Sequence, residues 1–309
     1  FKLGKSSKHD VQEFEFNLEE NIFQLHDDLK SDGYRHGSYS AFYVKDPKLR
    51  HIHKACVRDR VLHHAIFRVL YPIFDKNFIY DSYSGRIGKG THLAVDRLEE
   101  FARKFSVNNS KNIYALKCDI RKFFDSVDKN ILLKIVEKKI NDADCVKLIS
   151  IILDSFSGNG LPLGNVTSQL FANIYLNELD QHIKHYLKQK YYIRYCDDFL
   201  LLGFDPYNLS ENVSMISKFL SGHLKLSLHP NKIILTKYRQ GIDFLGYVVC
   251  LYHRVIRTKT QNRIIGRIVG NSIDLQALNS YLGVLRHCNG YDLENEIIWL
   301  SGLAEVEIY

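Results

Sequence analysis

Asp197 and Asp198 stand side by side in Tyr195-Cys196-Asp197-Asp198, between Tyr191-Tyr192-Ile193-Arg194 and Phe199-Leu200-Leu201-Leu202-Gly203. Apolar β-formers on both sides predict the tip of a β-hairpin, with both carboxylates at one end of a sheet. Adjacent charges there are costly, and a bound divalent cation offsets that cost. A third acid lies upstream, where Asn112 to Ile120 reads as an apolar strand closing on Asp119. If the hairpin lies beside that strand, Asp119, Asp197 and Asp198 converge at one sheet edge. Three carboxylates with no matching run of His or Cys specify a hard, all-oxygen site, which suits Mg²⁺ or Mn²⁺ better than zinc. Two such ions roughly 3.5–4 Å apart would suit in-line phosphoryl transfer. Each Asp alone reads as an ordinary turn or strand-end charge; the arrangement of all three points to a metal.

The neighbouring elements must hold these groups. Lys129 to Ile140 carries apolar residues at 131, 132, 135, 136 and 140, a helical spacing, with Asp128 as its N-cap. Ser168-Gln169 begins a second helix expected to run to about Leu187, after a turn set by Pro162 and Gly164. The 309 residues carry 42 Lys+Arg against 35 Asp+Glu, a formal charge of +7. Lys232 to Gly270 holds eight Lys or Arg and one acid, Asp243, a stripe able to neutralise phosphates or to remain a solvated face. No apolar run approaches the roughly 18 residues of a membrane span, and no signal peptide is visible. Phe1 is not an initiator, so residues are expected to precede it. Cysteines at 56, 118, 145, 196, 250 and 288 form no CxxC pair, and reduced thiols in a cytoplasm are expected. His51/His53, His63/His64 and His182/His185 lack four-ligand metal spacing and are expected at the surface or against nucleic acid.

With the carboxylates placed, the chain resembles the reverse transcriptases in seven ordered segments. Lys48-Leu49-Arg50 with Arg58-Asp59-Arg60 looks like the first fingers block, and Ser82 to His92 the second. Asp119 to Asp128 matches the palm block, Gly160 to Gln169 the template and dNTP-pocket block, and Tyr195 to Asp198 the catalytic box. Leu228 to Lys232 resembles the following block and Phe244-Leu245-Gly246-Tyr247 the primer-grip hairpin. Pro162-Leu163-Gly164, then Thr167-Ser168-Gln169, replaces the Pro-Gln-Gly and Ser-Pro of group II intron and retron enzymes. With Gly85-Arg86-Ile87-Gly88-Lys89-Gly90-Thr91-His92, that departure resembles the enzymes of diversity-generating retroelements.

The resemblance implies an α+β, right-hand polymerase fold. Fingers would occupy 1–110, a palm with an antiparallel sheet and helices on one face 111–250, and a short helical thumb 251–309. A fingers excursion is expected near 140–165. Ile264, Ile265, Ile268, Leu275, Leu278, Leu282 and Leu285 are expected to face the palm or the duplex. The implied activity is RNA-directed DNA polymerisation: copying a template-repeat RNA into cDNA with errors opposite adenine. The implied cofactor is two Mg²⁺, replaceable by Mn²⁺, held by Asp119, Ile120, Asp197 and Asp198. Asp119 and Asp197 would hold both ions, and Asp198 mainly the one at the primer terminus. Arg50, Arg86 and Lys89 would grip the dNTP triphosphate, and Gln169 joins that pocket. Phe124 would exclude a 2′-OH, and Leu163 would replace a fidelity-enforcing Gln.

Ser168, Lys232, Phe244, Leu245, Gly246, Tyr247, Arg254, Arg257, Lys259, Arg263 and Arg267 are the expected nucleic-acid contacts. Implied partners are template RNA, cDNA, dNTPs and a small basic helical accessory protein, with no membrane, in a bacterial, archaeal or phage setting. No RNase H, integrase or homing-endonuclease domain is expected after the thumb, so other proteins are expected to process the product. The alternatives are a retron-like or antiphage-defence enzyme making faithful cDNA, and an RNA-binding scaffold without turnover.

Overall fold

A computed structural model describes residues 2, 4–45, 48–270 and 275–301. The chain opens with helices α1 (His9–Phe16) and α2 (Leu18–Lys30) and the hairpin of β1 (Ser40–Val44) and β2 (Arg50–Lys54). Helices α3 (Val57–Asp75) and α4 (Thr91–Phe105) lead to β3 (Tyr114–Asp119). Then come α5 (Phe123–Ser126), α6 (Lys129–Glu137), α7 (Ala143–Asp154) and α8 (Val166–Gln181). The hairpin of β4 (Tyr192–Tyr195) and β5 (Asp198–Gly203) precedes α9 (Pro206–Leu224) and β6 (Ile234–Lys237). Strands β7 (Ile242–Phe244), β8 (Tyr247–Val249) and β9 (Arg254–Ile256) are followed by α10 (Thr258–Val269), α11 (Leu275–Leu285) and α12 (Tyr291–Leu300). Among the described residues, no helix is long and apolar enough to cross a membrane.

The described residues form three sheets: β1–β2, the four-stranded order β4-β5-β3-β6, and β7-β8-β9. β4 pairs with β5, and β3 with β6, in antiparallel register. Phe199, Leu200, Leu201, Tyr192 and Ile193 are all fully buried, so both faces of the hairpin are covered. A strand buried on both faces reads as a continuous apolar run, and such a run flanks the Asp pair.

Two compact units emerge. The first comprises 1–80, 119–188 and 214–230; the second comprises 81–118, 189–213 and 231–309. In the first, α8 packs against α3 and α6. Its helix α6 starts where expected: Asp128 accepts the Ile131 N–H at 3.0 Å. The helix ends at Glu137, three residues short of the apolar pattern, and Ile140 is buried beyond its last turn. Helix α8 gives way at His182 to a π-helical turn, His182–Tyr186, instead of continuing as regular α-helix. His63 is buried rather than exposed, beside His36 Nε2 at 3.2 Å and Thr167 Oγ1 at 3.3 Å, and burial pushes its pKa down to about 4.

In the second unit, α10, α11 and α12 build a core of their own from Ile256, Ile264, Ile268, Leu278, Leu285, Leu293 and Ile297. Several apolar residues expected to face palm or duplex are therefore spent on packing these helices together. Leu275, expected among them, is 69% exposed. The end of the expected thumb, 302–309, lies outside the described residues.

Asp128 offers a direct test of the local reading. Its carboxylate also accepts from Lys225 Nζ at 2.6 Å, which holds its pKa below the usual carboxylate range. Asp128→Ala should cost about 1 kcal/mol, measured by urea unfolding at neutral pH. A lowered folded-state pKa stabilises above the ordinary carboxylate pKa and loses that effect as pH falls through the folded value. The difference between variant and wild type should therefore shrink in acid.

Candidate active site

Tyr195 pairs with Asp198, leaving Cys196 and Asp197 as a two-residue turn, with Cys196 at φ 55°. Arg194 braces that turn from below. It is fully buried, and its Nη1 donates to the Cys196 carbonyl at 3.1 Å. Its backbone is fastened on both sides: its N–H donates to the Asp81 carbonyl at 3.0 Å and its carbonyl accepts from the Tyr83 N–H at 2.9 Å. The turn is thereby locked to the start of the Ser82–His92 segment. Thr91 Oγ1 adds a hydrogen bond to the Tyr195 hydroxyl at 3.2 Å.

Within the second unit, Lys117 and Cys118 of β3 lie beside Asp198. Lys117 Nζ lies 3.3 Å from Asp198 Oδ2 and donates to the Asp243 carbonyl at 3.1 Å. Burial, then the Asp198 charge, pushes the Cys118 thiol up to about 12; burial, then Asp197, does the same to Cys196. Asp119 is the last residue of β3, and its carbonyl accepts the His229 N–H at 2.8 Å. Ile120 follows as a buried bridge partner of Leu228. Its side chain has no ligating atom, so only its backbone could serve the metal role expected of it.

Among the described residues, no three His, Cys, Asp or Glu side chains are grouped as a ready-made ion cage. The donor chemistry nevertheless suits a hard cation, because the strand-end and turn groups are carboxylates. Mg²⁺ is usually held by one or two carboxylates plus substrate phosphates and water, so a closed protein cage is not required.

The first unit assembles much of the predicted nucleotide set. The Leu161 N–H donates to the Phe124 carbonyl at 2.8 Å, and the His53 N–H to the Leu163 carbonyl at 2.8 Å. Asn165 Nδ2 donates to the His53 carbonyl at 3.2 Å. Strand β2, which begins at Arg50, is thus bonded to the Leu163 segment, which is bonded in turn to the Phe124 loop. Phe123 is the core aromatic of its pair and Phe124 is half-buried. Gln169 is exposed, but Ser168 is 3% exposed, so its expected nucleic-acid contact is corrected to a packing role. In the second unit, Arg86 Nη1 donates to the Ser82 carbonyl at 3.0 Å, and Lys89 lies 4.7 Å from the Tyr83 ring centroid.

The expected nucleic-acid contacts divide. Phe244 and Tyr247 are buried and anchor the β7–β8 hairpin, so their side chains are not available for contact. Leu245 (φ 49°) and Gly246 (φ 92°) form its turn, the double positive φ of a type I′ hairpin loop. Arg254 is ion-paired with Asp96 at 2.6 Å and Glu99 at 3.6 Å, and Arg257 with Asp243. Arg267 donates to the Tyr281 hydroxyl at 2.9 Å. The stripe is partly an internal bracing of this unit, while Lys259 is exposed and Lys232 and Arg263 are half-buried. Lys117 and Arg194 went unanticipated. The available signals were the shared strand face of residues 117 and 119, and a lone cation inside an apolar strand.

A model of the family "Reverse transcriptase (RNA-dependent DNA polymerase)" matches residues 44–249. Protein YkfC of Escherichia coli K12 is 26% identical over 280 residues, covering 77% of this chain and 71% of YkfC. The group II intron-encoded protein LtrA of Lactococcus lactis subsp. cremoris is 23% identical, covering 83% of this chain and 54% of LtrA. Apo telomerase from Candida tropicalis superposes with a TM-score of 0.60 at 11% identity, over 87% of this chain and 59% of that one. The chain thus spans little more than half of the latter two, and their likeness supports the right-hand polymerase fold. Reverse transcriptase domains work with divalent cations, and the family match covers every strand from β3 to β8. The chain belongs to the reverse transcriptase family, the RNA-dependent DNA polymerases.

Proposed function

We propose that this protein copies a template-repeat RNA into cDNA with errors concentrated opposite adenine, in the cytoplasm, with a small basic helical accessory protein. The observation that carries the polymerase reading is the Asp197–Asp198 turn braced by Arg194, within a chain matched by the reverse transcriptase family model. Asp119, Asp197 and Asp198 would together hold two Mg²⁺ ions. The bound metal would acidify the primer 3′-OH and offset charge on the transferring phosphoryl group. Arg50, Arg86 and Lys89 would neutralise the triphosphate, and Phe124 would close the space a 2′-OH needs. The fingers, palm and thumb boundaries at 110 and 250 belong to the same proposal.

Leu163 carries the low-fidelity element. Its backbone is held by His53 N–H, so its apolar side chain is presented from a fixed segment. An apolar contact discriminates by shape alone, worth roughly 10–200-fold, and loses little when a pair is misaligned. Primer extension on defined RNA templates with Mg²⁺, followed by cDNA sequencing, tests the reading. Wild type should misincorporate at template adenines, and Leu163→Gln should lower that error frequency by roughly tenfold. An unchanged error spectrum in Leu163→Gln would refute the role of this pocket.

A second reading has its own support. The likeness to the group II intron-encoded protein LtrA supports a reverse transcriptase outside the diversity-generating group, and the alternative is a retron-like or antiphage-defence enzyme making faithful cDNA. Accurate copying of adenines by wild type would select it.

A further inference from the structure

We propose that Lys117 is a built-in counter-cation of the Asp197–Asp198 turn, occupying Asp198 until a divalent ion displaces it. The inference rests on the reading of Asp198 as a metal ligand.

Lys117 lies two residues before Asp119 on β3, so both project from the same face of that strand. Its ammonium lies between two acceptors on different elements, Asp198 Oδ2 at the start of β5 and the Asp243 carbonyl in β7. These strands belong to separate sheets of the second unit. The paired side chains are 18% and 21% exposed, so solvent screens them less than it would a surface pair.

An ammonium is a compact point charge with three donors on a flexible stem. It can neutralise a carboxylate oxygen in the absence of metal, and it can withdraw without breaking the backbone. A divalent cation seeking Asp198 Oδ2 competes for the same atom. On displacement, Lys117 keeps the Asp243 carbonyl and so remains attached to the β7–β8 hairpin. The pair thereby couples the occupancy of the Asp turn to the hairpin expected to grip the primer.

A purely structural ion pair predicts the opposite sign for its removal. If Lys117 only braces the turn, losing it loosens Asp198 and weakens cation binding. If Lys117 competes, losing it strengthens binding.

The test is Mn²⁺ binding to the intact chain without nucleic acid, followed by electron paramagnetic resonance and calorimetry. Lys117→Met should bind Mn²⁺ roughly tenfold more tightly, in line with removal of one close unit charge near a protein surface. Lys117→Arg, which keeps the charge, should bind like wild type. Lys117→Gln, which can still donate to the Asp243 carbonyl, serves if the Met variant does not fold. Equal or weaker binding in folded Met and Gln variants overturns the proposal. Asp197→Asn/Asp198→Asn separates the two levels. If it leaves Mn²⁺ binding intact, the metal reading itself fails and this proposal with it. If it removes Mn²⁺ binding while Lys117→Met binds no more tightly, only the counter-cation role fails.

Discussion

Asp197→Asn combined with Asp198→Asn should reduce primer extension by about a thousandfold or more while leaving the fold intact. The magnitude follows from losing several kcal/mol of charge stabilisation on the transferring phosphoryl group, at about 1.4 kcal/mol per tenfold. The isosteric amides keep the volume of both residues and remove only their charge. The turn itself is held by Arg194 Nη1 on the Cys196 carbonyl and by the Tyr195–Asp198 pair, neither of which needs an ionised carboxylate. Thermal melting should therefore change little, and single-turnover extension should report the loss. Extension at wild-type rate by the double variant would remove these residues from the chemistry.

Gly160→Ala should be the most disruptive small substitution near the predicted nucleotide pocket. Gly160 has φ 71°, and a Cβ there would lie 1.9 Å from the Phe124 carbonyl oxygen and 2.7 Å from the Asp125 carbonyl carbon. Both obstacles are backbone, so no side-chain rotation relieves them. The left-handed conformation adds a further cost for any residue with a Cβ. The expected loss is about 3 kcal/mol or more, read from urea or thermal unfolding. The adjacent Leu161 N–H to Phe124 carbonyl bond should be lost with it. A folded fraction of the variant should then discriminate dNTP from rNTP less well, because Phe124 and Leu163 are positioned through that contact. Unchanged stability would show that the 160–161 segment can move away from Phe124 without cost.

The hairpin around the Asp pair was legible because its strands are apolar on both faces, a local pattern that survives without tertiary context. The Asp128 cap was legible for the same reason: a side chain three residues from its backbone partner depends on nothing remote. Phe244 and Tyr247 were misjudged because a motif names a segment and not the direction of each side chain. Alternation in β7 and β8 sends both into the core. The basic stripe was overcounted because sequence shows only the acid within it, Asp243. Asp96 and Glu99, which pair with Arg254, come from α4, more than 150 residues earlier.

By itself, the sequence determined that carboxylates stand on a hairpin turn and a strand end, along with the reverse transcriptase order of segments. It also determined the local starts and turns, since these depend on neighbours within a few residues. Only the tertiary structure decided which charges are engaged. It set Arg194 beneath the turn carbonyl, Lys117 on Asp198, and Arg254 and Arg257 on their own carboxylates. Electrostatic partners are chosen by distance in space, and remote pairs such as Lys117–Asp198 and Arg254–Asp96 leave no local trace along the chain.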